Sequence, residues 1–200
     1  MNLGTARTEF QARGFDYLSS TRCNAYLNRS LAALSVEAAW PWLESTTSGT
    51  APVTVSDLRA VLSVVDTTTS TELQPADRRN LIGMYTTLTT TGSPAYWYRS
   101  SLTAISVYPA NTSDTISVRY IAHEAELTSD SSSPSLPSRH HNVWVDRAVY
   151  EAYVDSDNFE SAAMLKQKID VEVFEMKRQY MVPNFDMPWL VQSRRGHEGF

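Results

Sequence analysis

Leu27, Leu31, Leu34 and Ala38 recur at steps of four, three and four, the spacing of one apolar face on an α-helix. Ser20 stands where an N-cap would serve, and Arg22 and Arg29 fall off the stripe. Pro41 disfavours helical geometry at Trp40, so the pattern predicts a helix from about Thr21 that stops near Trp40. A shorter helix over Thr5–Gln11 is predicted ahead of it, broken by Gly14. The period then changes. Pro52-Val-Thr-Val55, Ala60–Val65, Tyr96-Trp-Tyr98, Ala104–Tyr108 and Thr115–Ile121 are short, β-branched or aromatic, and several alternate apolar with polar. The turn cluster Asn111-Thr-Ser-Asp114 predicts a hairpin of the last two strands. Asp77–Tyr85 reads as a short helix with Leu81, Ile82 and Met84 for packing. Alternation of this kind points to an antiparallel sheet or small sandwich with one wet face.

After a Ser/Pro linker over 128–138 the helical period returns, with Val145, Ala148, Val149 and Ala152 on one face. A last helix of about 23 residues carries Ala162, Leu165, Ile169, Val173, Met176 and Tyr180 on its stripe. Asp157 and Glu160 stand at capping-box spacing at its start, and Pro183 ends it. The expected fold class is therefore α+β: a helical bundle made of 1–44 and 139–182, a β-rich insert over 52–127, and an extended C-terminal arm over 183–200, one structural unit overall. Phe185, Met187, Trp189 and Leu190 lie on that arm among Pro183, Pro188, Gly196 and Gly199. Apolar anchors on an extended segment suit partner binding, and folding back onto their own domain is the alternative.

Composition narrows the class. Hydrophobic residues make up 42% and charged residues 20%, a globular balance, and no run approaches a membrane span or marks a signal peptide, which reads as a chain made in the cytoplasm. A net charge of −5 disfavours a general grip on nucleic-acid backbones. Arginine outnumbers lysine 14 to 3, and 44 serines and threonines gather in clusters such as Ser45–Thr50 and Thr128–Ser138, which read as loops or wet strand faces. Cys23 stands alone, so no internal disulfide or cysteine-rich zinc site is possible.

Specific chemistry is not visible. His140 and His141 are adjacent at a helix start, about 100° apart, and read as a surface pair rather than a metal site. His123 with Glu124 or Glu126 is the nearest approach to a catalytic or ligand group, and strand alternation explains it as well. Asp155-Ser-Asp-Asn158 begins like a calcium loop but has Glu160 where the loop glycine belongs. Phosphate-loop, dinucleotide and nucleophile-elbow motifs are absent, so no catalytic residue, metal or cofactor is expected. Tyr96-Trp97-Tyr98 suggests base or sugar stacking, but a strand sends alternate residues to opposite faces.

Taken together, several segments resemble tailed-bacteriophage head-to-tail adaptor (connector) proteins. These are Ala38-Ala-Trp-Pro-Trp-Leu43, Gly92-Ser-Pro-Ala-Tyr96 followed by Ile105-Ser-Val-Tyr-Pro109 and Val118-Arg-Tyr120, and Leu127-Thr-Ser-Asp130 with Pro134-Ser-Leu-Pro137. The helix from about His141 with Ala148-Val-Tyr150 and Ala152-Tyr153 fits the same order. The resemblance spans roughly residues 20–180 and is distributed over weak matches. It implies a non-enzymatic structural protein of the virion neck, at the head–tail junction, forming a ring (twelve-fold in the family) between portal protein and tail proteins. Packaged double-stranded DNA would pass through the channel without specific binding, and no membrane is involved. Asp155, Asp157, Glu160 and Asp170 are the candidates for the channel lining, a solvated outer helix face being their alternative. The arm residues would reach the portal or a neighbour. A tail-completion or nozzle protein of the same particle is one alternative function. A carbohydrate-binding module using Trp97 is another, from a different class.

Overall fold

The computed structural model describes residues 1–181 and divides the chain into two compact units, one made of Met1–Trp40 with the segment from Ala125 onward, the other of Pro41–Glu124. The protein is α+β.

In the first unit Asn2 caps helix α1 (Leu3–Phe10) by accepting from the Thr5 amide at 2.9 Å. A wider helical turn, Gln11–Phe15, follows, and Gly14 closes it at φ +100°. A Cβ at Gly14 would meet nothing within 4 Å, so the glycine serves the backbone conformation rather than close packing. Helix α2 (Ser20–Val36) is capped by Ser19, one residue before the expected position. It ends at Val36, ahead of Trp40, because the Trp40 indole folds back and donates to the Leu34 carbonyl at 2.7 Å. The fully buried tryptophan, more than Pro41, stops this helix.

Helices α4 (His141–Asp155) and α5 (Phe159–Tyr180) complete the unit, and α4 packs against α1, α2 and α5. The Trp144 indole donates to the Leu27 carbonyl at 2.8 Å, and the Ser30 hydroxyl donates to the Trp144 carbonyl at 3.0 Å, stitching α2 to α4. Asp146, also on α4, has no exposed surface. Its carboxylate pairs with Arg13 from the wide turn and with Lys168 of α5, whose Nζ lies 2.6 Å away. Glu37, just past α2, takes Arg147 at 3.0 Å and Lys177 at 3.1 Å. Burial works against the charged Glu37 carboxylate, but these two cations hold its pKa below the ordinary value.

Asn158, not Asp157, caps α5, its side chain accepting from the Ser161 amide at 3.3 Å, while Asp157 occupies the preceding turn at φ +57°. Nor are the two histidines a surface pair. His141 is 5% exposed, its Nε2 bonds the Leu136 carbonyl at 2.8 Å, and its Nδ1 lies 2.7 Å from the Met1 amino group. His140 Nε2 meets the Tyr180 hydroxyl at 3.2 Å. Burial lowers the pKa of both imidazoles, so both favour the neutral form in the folded chain. Their stabilising contribution is full above the unfolded value near 6.5 and is lost as the pH falls below it. Thermal melts followed by circular dichroism should therefore shift downward between pH 7.5 and 5. His141→Gln, which keeps a donor for Leu136, should flatten that dependence. An unchanged slope would remove His141 as its source.

The second unit holds strands β1 (Glu44–Thr50), β2 (Val53–Thr54), β3 (Leu58–Asp66), β4 (Thr71–Glu72), β5 (Gln74–Pro75), β6 (Tyr96–Arg99), β7 (Ala104–Tyr108) and β8 (Thr115–Ala122), with helix α3 (Arg78–Tyr85) between β5 and β6. One sheet is antiparallel in the order β1-β8-β3-β4. The other runs β2-β7-β6-β5 and is antiparallel except for the parallel β5–β6 pair. Val64, Ile116 and Val118 from the first sheet and Val53, Ile105 and Val107 from the second bury into one shared core. The expected hairpin does not form, because β7 and β8 belong to different sheets. Asn111 Oδ1 accepts from the amides of Ser113 and Asp114, and this turn carries the chain from one sheet to the other. Strand β1 contains no large apolar residue and is held by antiparallel pairing to β8, Thr47 opposite Val118. Of the three residues expected to pack from α3, only Leu81 is buried; Ile82 and Met84 are exposed. Leu81 joins Tyr98 and Tyr108, with Tyr96 against them, while Trp97 packs on the shared core. Period-2 alternation thus divides the aromatic triplet between two clusters.

Candidate assembly interface

Helix α5 carries two apolar stripes. One is the expected stripe, with Ala162, Ile169, Val173 and Met176 buried. The other consists of Met164, Val171 and Phe174, continued by Met181 just past the helix end, exposed by 73, 59, 64 and 38%. Steps of seven, three and seven place these four along one side, and at 100° per residue that side faces away from the buried stripe. Val171 and Phe174 border a shallow groove of about 520 Å³ with Ala163, Lys166, Gln167 and Asp170. Exposed ion pairs flank it, Lys166 with Asp170 at 2.8 Å and Arg178 with Glu175 at 3.0 Å. Exposed apolar side chains aligned on one side and framed by charges suit a protein–protein contact. Covering each side chain would contribute roughly 1–2 kcal/mol, given its present exposure.

The four candidate channel carboxylates are all exposed, but their surroundings differ. Asp155 accepts from the Tyr26 hydroxyl at 2.9 Å and lies 3.7 Å from Arg29. Asp170 is paired with Lys166. Asp157 and Glu160 have no cation in ion-pair range among the described residues, and Phe159 between them is 62% exposed. The turn between α4 and α5 therefore gathers Asp155, Asp157 and Glu160, whereas Asp170 sits roughly 15 Å further along α5. The arm residues Phe185, Met187, Trp189 and Leu190 lie outside the described residues.

His123 is exposed directly after β8, and Glu126 accepts from Asn28 at 3.5 Å. Cys23 is buried, and burial raises its thiol pKa, so it stays protonated. Asp66 is fully buried and accepts from the Thr68 amide and from the amide and hydroxyl of Thr69. Burial opposes the charged Asp66 carboxylate, yet these donors hold its pKa below the usual range, the behaviour of a turn-forming aspartate. Burial also pushes the Glu151 carboxyl up, against the pull of Arg29. Among the described residues, no cluster of three or more histidine, cysteine or acidic side chains could hold a metal ion, and no helix is long and apolar enough to cross a membrane.

The second α5 stripe was legible in the sequence at its seven-three-seven spacing, yet the stronger buried stripe on the same helix masks it. The unpaired state of Asp157 and Glu160 depends on where distant arginines settle, which spacing does not reveal.

No curated protein matches the chain. The family model described as SU10 adaptor protein matches residues 1–183, a stretch that takes in every helix and strand described above. The chain accordingly belongs to the SU10 adaptor protein family, a family of phage head-to-tail adaptors.

Proposed function

We propose that this chain is a non-enzymatic connector of a tailed-phage neck, assembled as a ring between portal and tail with DNA passing through its channel. Membership of a head-to-tail adaptor family makes it a virion component that meets other phage proteins. The observation that carries the finer reading is the exposed stripe Met164, Val171, Phe174 and Met181 on α5, an apolar face that a lone subunit leaves in water. In this reading α5 packs against a neighbouring copy, the helices form a bundle around the channel, and the arm with Phe185, Met187, Trp189 and Leu190 binds the portal or a neighbour. A net charge of −5 per copy suits a passage that must not hold phosphates, since each neutralised phosphate adds counterion-release affinity.

Mass photometry of the purified chain, with and without portal rings, tests this. The expected result is a ring, or a monomer that joins portal rings and needs residues 183–200 to do so. A monomer indifferent to the portal overturns it. Density on the tail side of the neck in a virion map would favour the tail-completion or nozzle reading instead.

A further inference from the structure

Six of the twelve described arginines, Arg7, Arg13, Arg29, Arg119, Arg147 and Arg178, pair with a carboxylate, and Arg22 and Arg139 lie over the rings of Tyr26 and Tyr180. Arg78, Arg79 and Arg99 have no carboxylate in ion-pair range among the described residues, and all three are exposed. They border one groove of about 630 Å³ on the β unit, with Ile82 and Trp97 as its apolar surface. Arg99 is held in place by donating to the Leu102 carbonyl at 2.6 Å, and Leu102 itself is 84% exposed. Arg78 and Arg79 occupy the first turn of α3, where the helix dipole disfavours cations, so local stability does not explain them.

The complement of this groove is on the same chain. At the turn between α4 and α5, Asp157 and Glu160 lack a cation while Phe159 between them is exposed, giving two carboxylates around one apolar side chain. Glu160 also falls at the start of the exposed α5 stripe, four residues before Met164, so the turn is continuous with the face already assigned to assembly. We propose that the Asp157–Glu160 turn of one copy docks in the Arg78/Arg79/Arg99 groove of the next, with Phe159 against Ile82 and Leu102. This rests on the ring reading and names one of its seams. It also assigns Asp157 and Glu160 to that seam rather than to the channel lining. The two patches differ, so the contact is head-to-tail: it builds rings or open chains, not two-fold pairs. A guanidinium cluster suits carboxylates through bidentate pairing. Asp77 at the groove and the acidic balance of the chain weigh against duplex DNA as the occupant.

Charge exchange on the full chain tests the seam by sedimentation equilibrium and mass photometry. One variant carries Arg78→Glu and Arg79→Glu; the other carries Asp157→Asn and Glu160→Arg. Glutamates at the start of α3 favour that helix, so melting of α3 would not account for a loss in the first variant. Each variant alone should self-associate at least about tenfold more weakly than wild type, and an equimolar mixture should recover to within about threefold, because every seam in an alternating assembly again joins opposite charges. Wild-type-like association of either variant, or a mixture that fails to recover, overturns the seam and leaves the ring reading standing. A wild-type chain that associates neither with itself nor with portal rings overturns both. Tighter binding of a 30-base-pair duplex to wild type than to the Arg78→Glu, Arg79→Glu variant, with self-association unchanged between them, also overturns the seam in favour of DNA.

Discussion

Replacing both Arg13 and Lys168 with methionine should cost the helical unit about 3–5 kcal/mol, because it leaves the fully buried Asp146 carboxylate without a counter-charge. Asp146→Leu should cost distinctly less. Its removal frees the two cations, but the Arg13 side chain is 29% exposed and that of Lys168 55%, so both can return to water. The asymmetry is the informative part. Urea unfolding of the three proteins at pH 7 would measure it, and equal losses from either side of the triad would show that Asp146 acts through packing rather than charge. The triad joins the wide turn, α4 and α5, so its loss should be cooperative across the unit.

Val171→Glu with Phe174→Glu should abolish self-association while leaving the subunit folded. Both side chains are more than half exposed in the single chain, so little packing is lost and the melting temperature should move by no more than a surface substitution allows. In an assembly each would contribute roughly 1–2 kcal/mol of apolar burial, and removing two amounts to about thirtyfold to about a thousandfold in affinity per contact. Sedimentation velocity beside a thermal melt separates the two effects. A variant that still assembles would move the contact away from α5, whereas a variant that melts early would show this face to be packed in the subunit.

The helices were readable because a repeated 3.6-residue apolar spacing survives any tertiary arrangement: α5 spans Phe159–Tyr180, one residue shorter than its stripe and caps suggested. Strand pairing was less readable. The Asn111–Asp114 cluster correctly marks a turn, but residue chemistry says nothing about which sheet the chain enters afterwards, and β7 and β8 part there. Strand β1 gave only an ambiguous signal, since the hydroxyl cluster Ser45–Thr50 read as a loop or a wet strand face, and its order comes from the backbone of β8. Partners far apart in sequence were equally hidden: Arg13 meets Asp146 across 133 residues, and only folding decides which of 14 arginines remain unpaired. The second stripe on α5 is spaced in the sequence but singled out only by its exposure, and the arginine groove emerges only once folding pairs some arginines and leaves others.

The two units are threaded differently. Pro41–Glu124 is one continuous stretch, whereas the helical unit is split, with α1 and α2 on one side of it and α4 and α5 on the other. On the ribosome the β unit has all its strands before the second half of the helical unit has been made. Leu27, Leu31 and Leu34 must meanwhile wait for Trp144, Val145 and Ala148, more than a hundred residues later. At roughly 5–20 residues per second that interval is on the order of 5–25 seconds, during which an apolar helical face is uncovered. The newborn chain is thus most vulnerable in its first forty residues, where a chaperone would find its binding site and where truncation after Glu124 would leave a folded sandwich trailing an orphaned, aggregation-prone hairpin of helices.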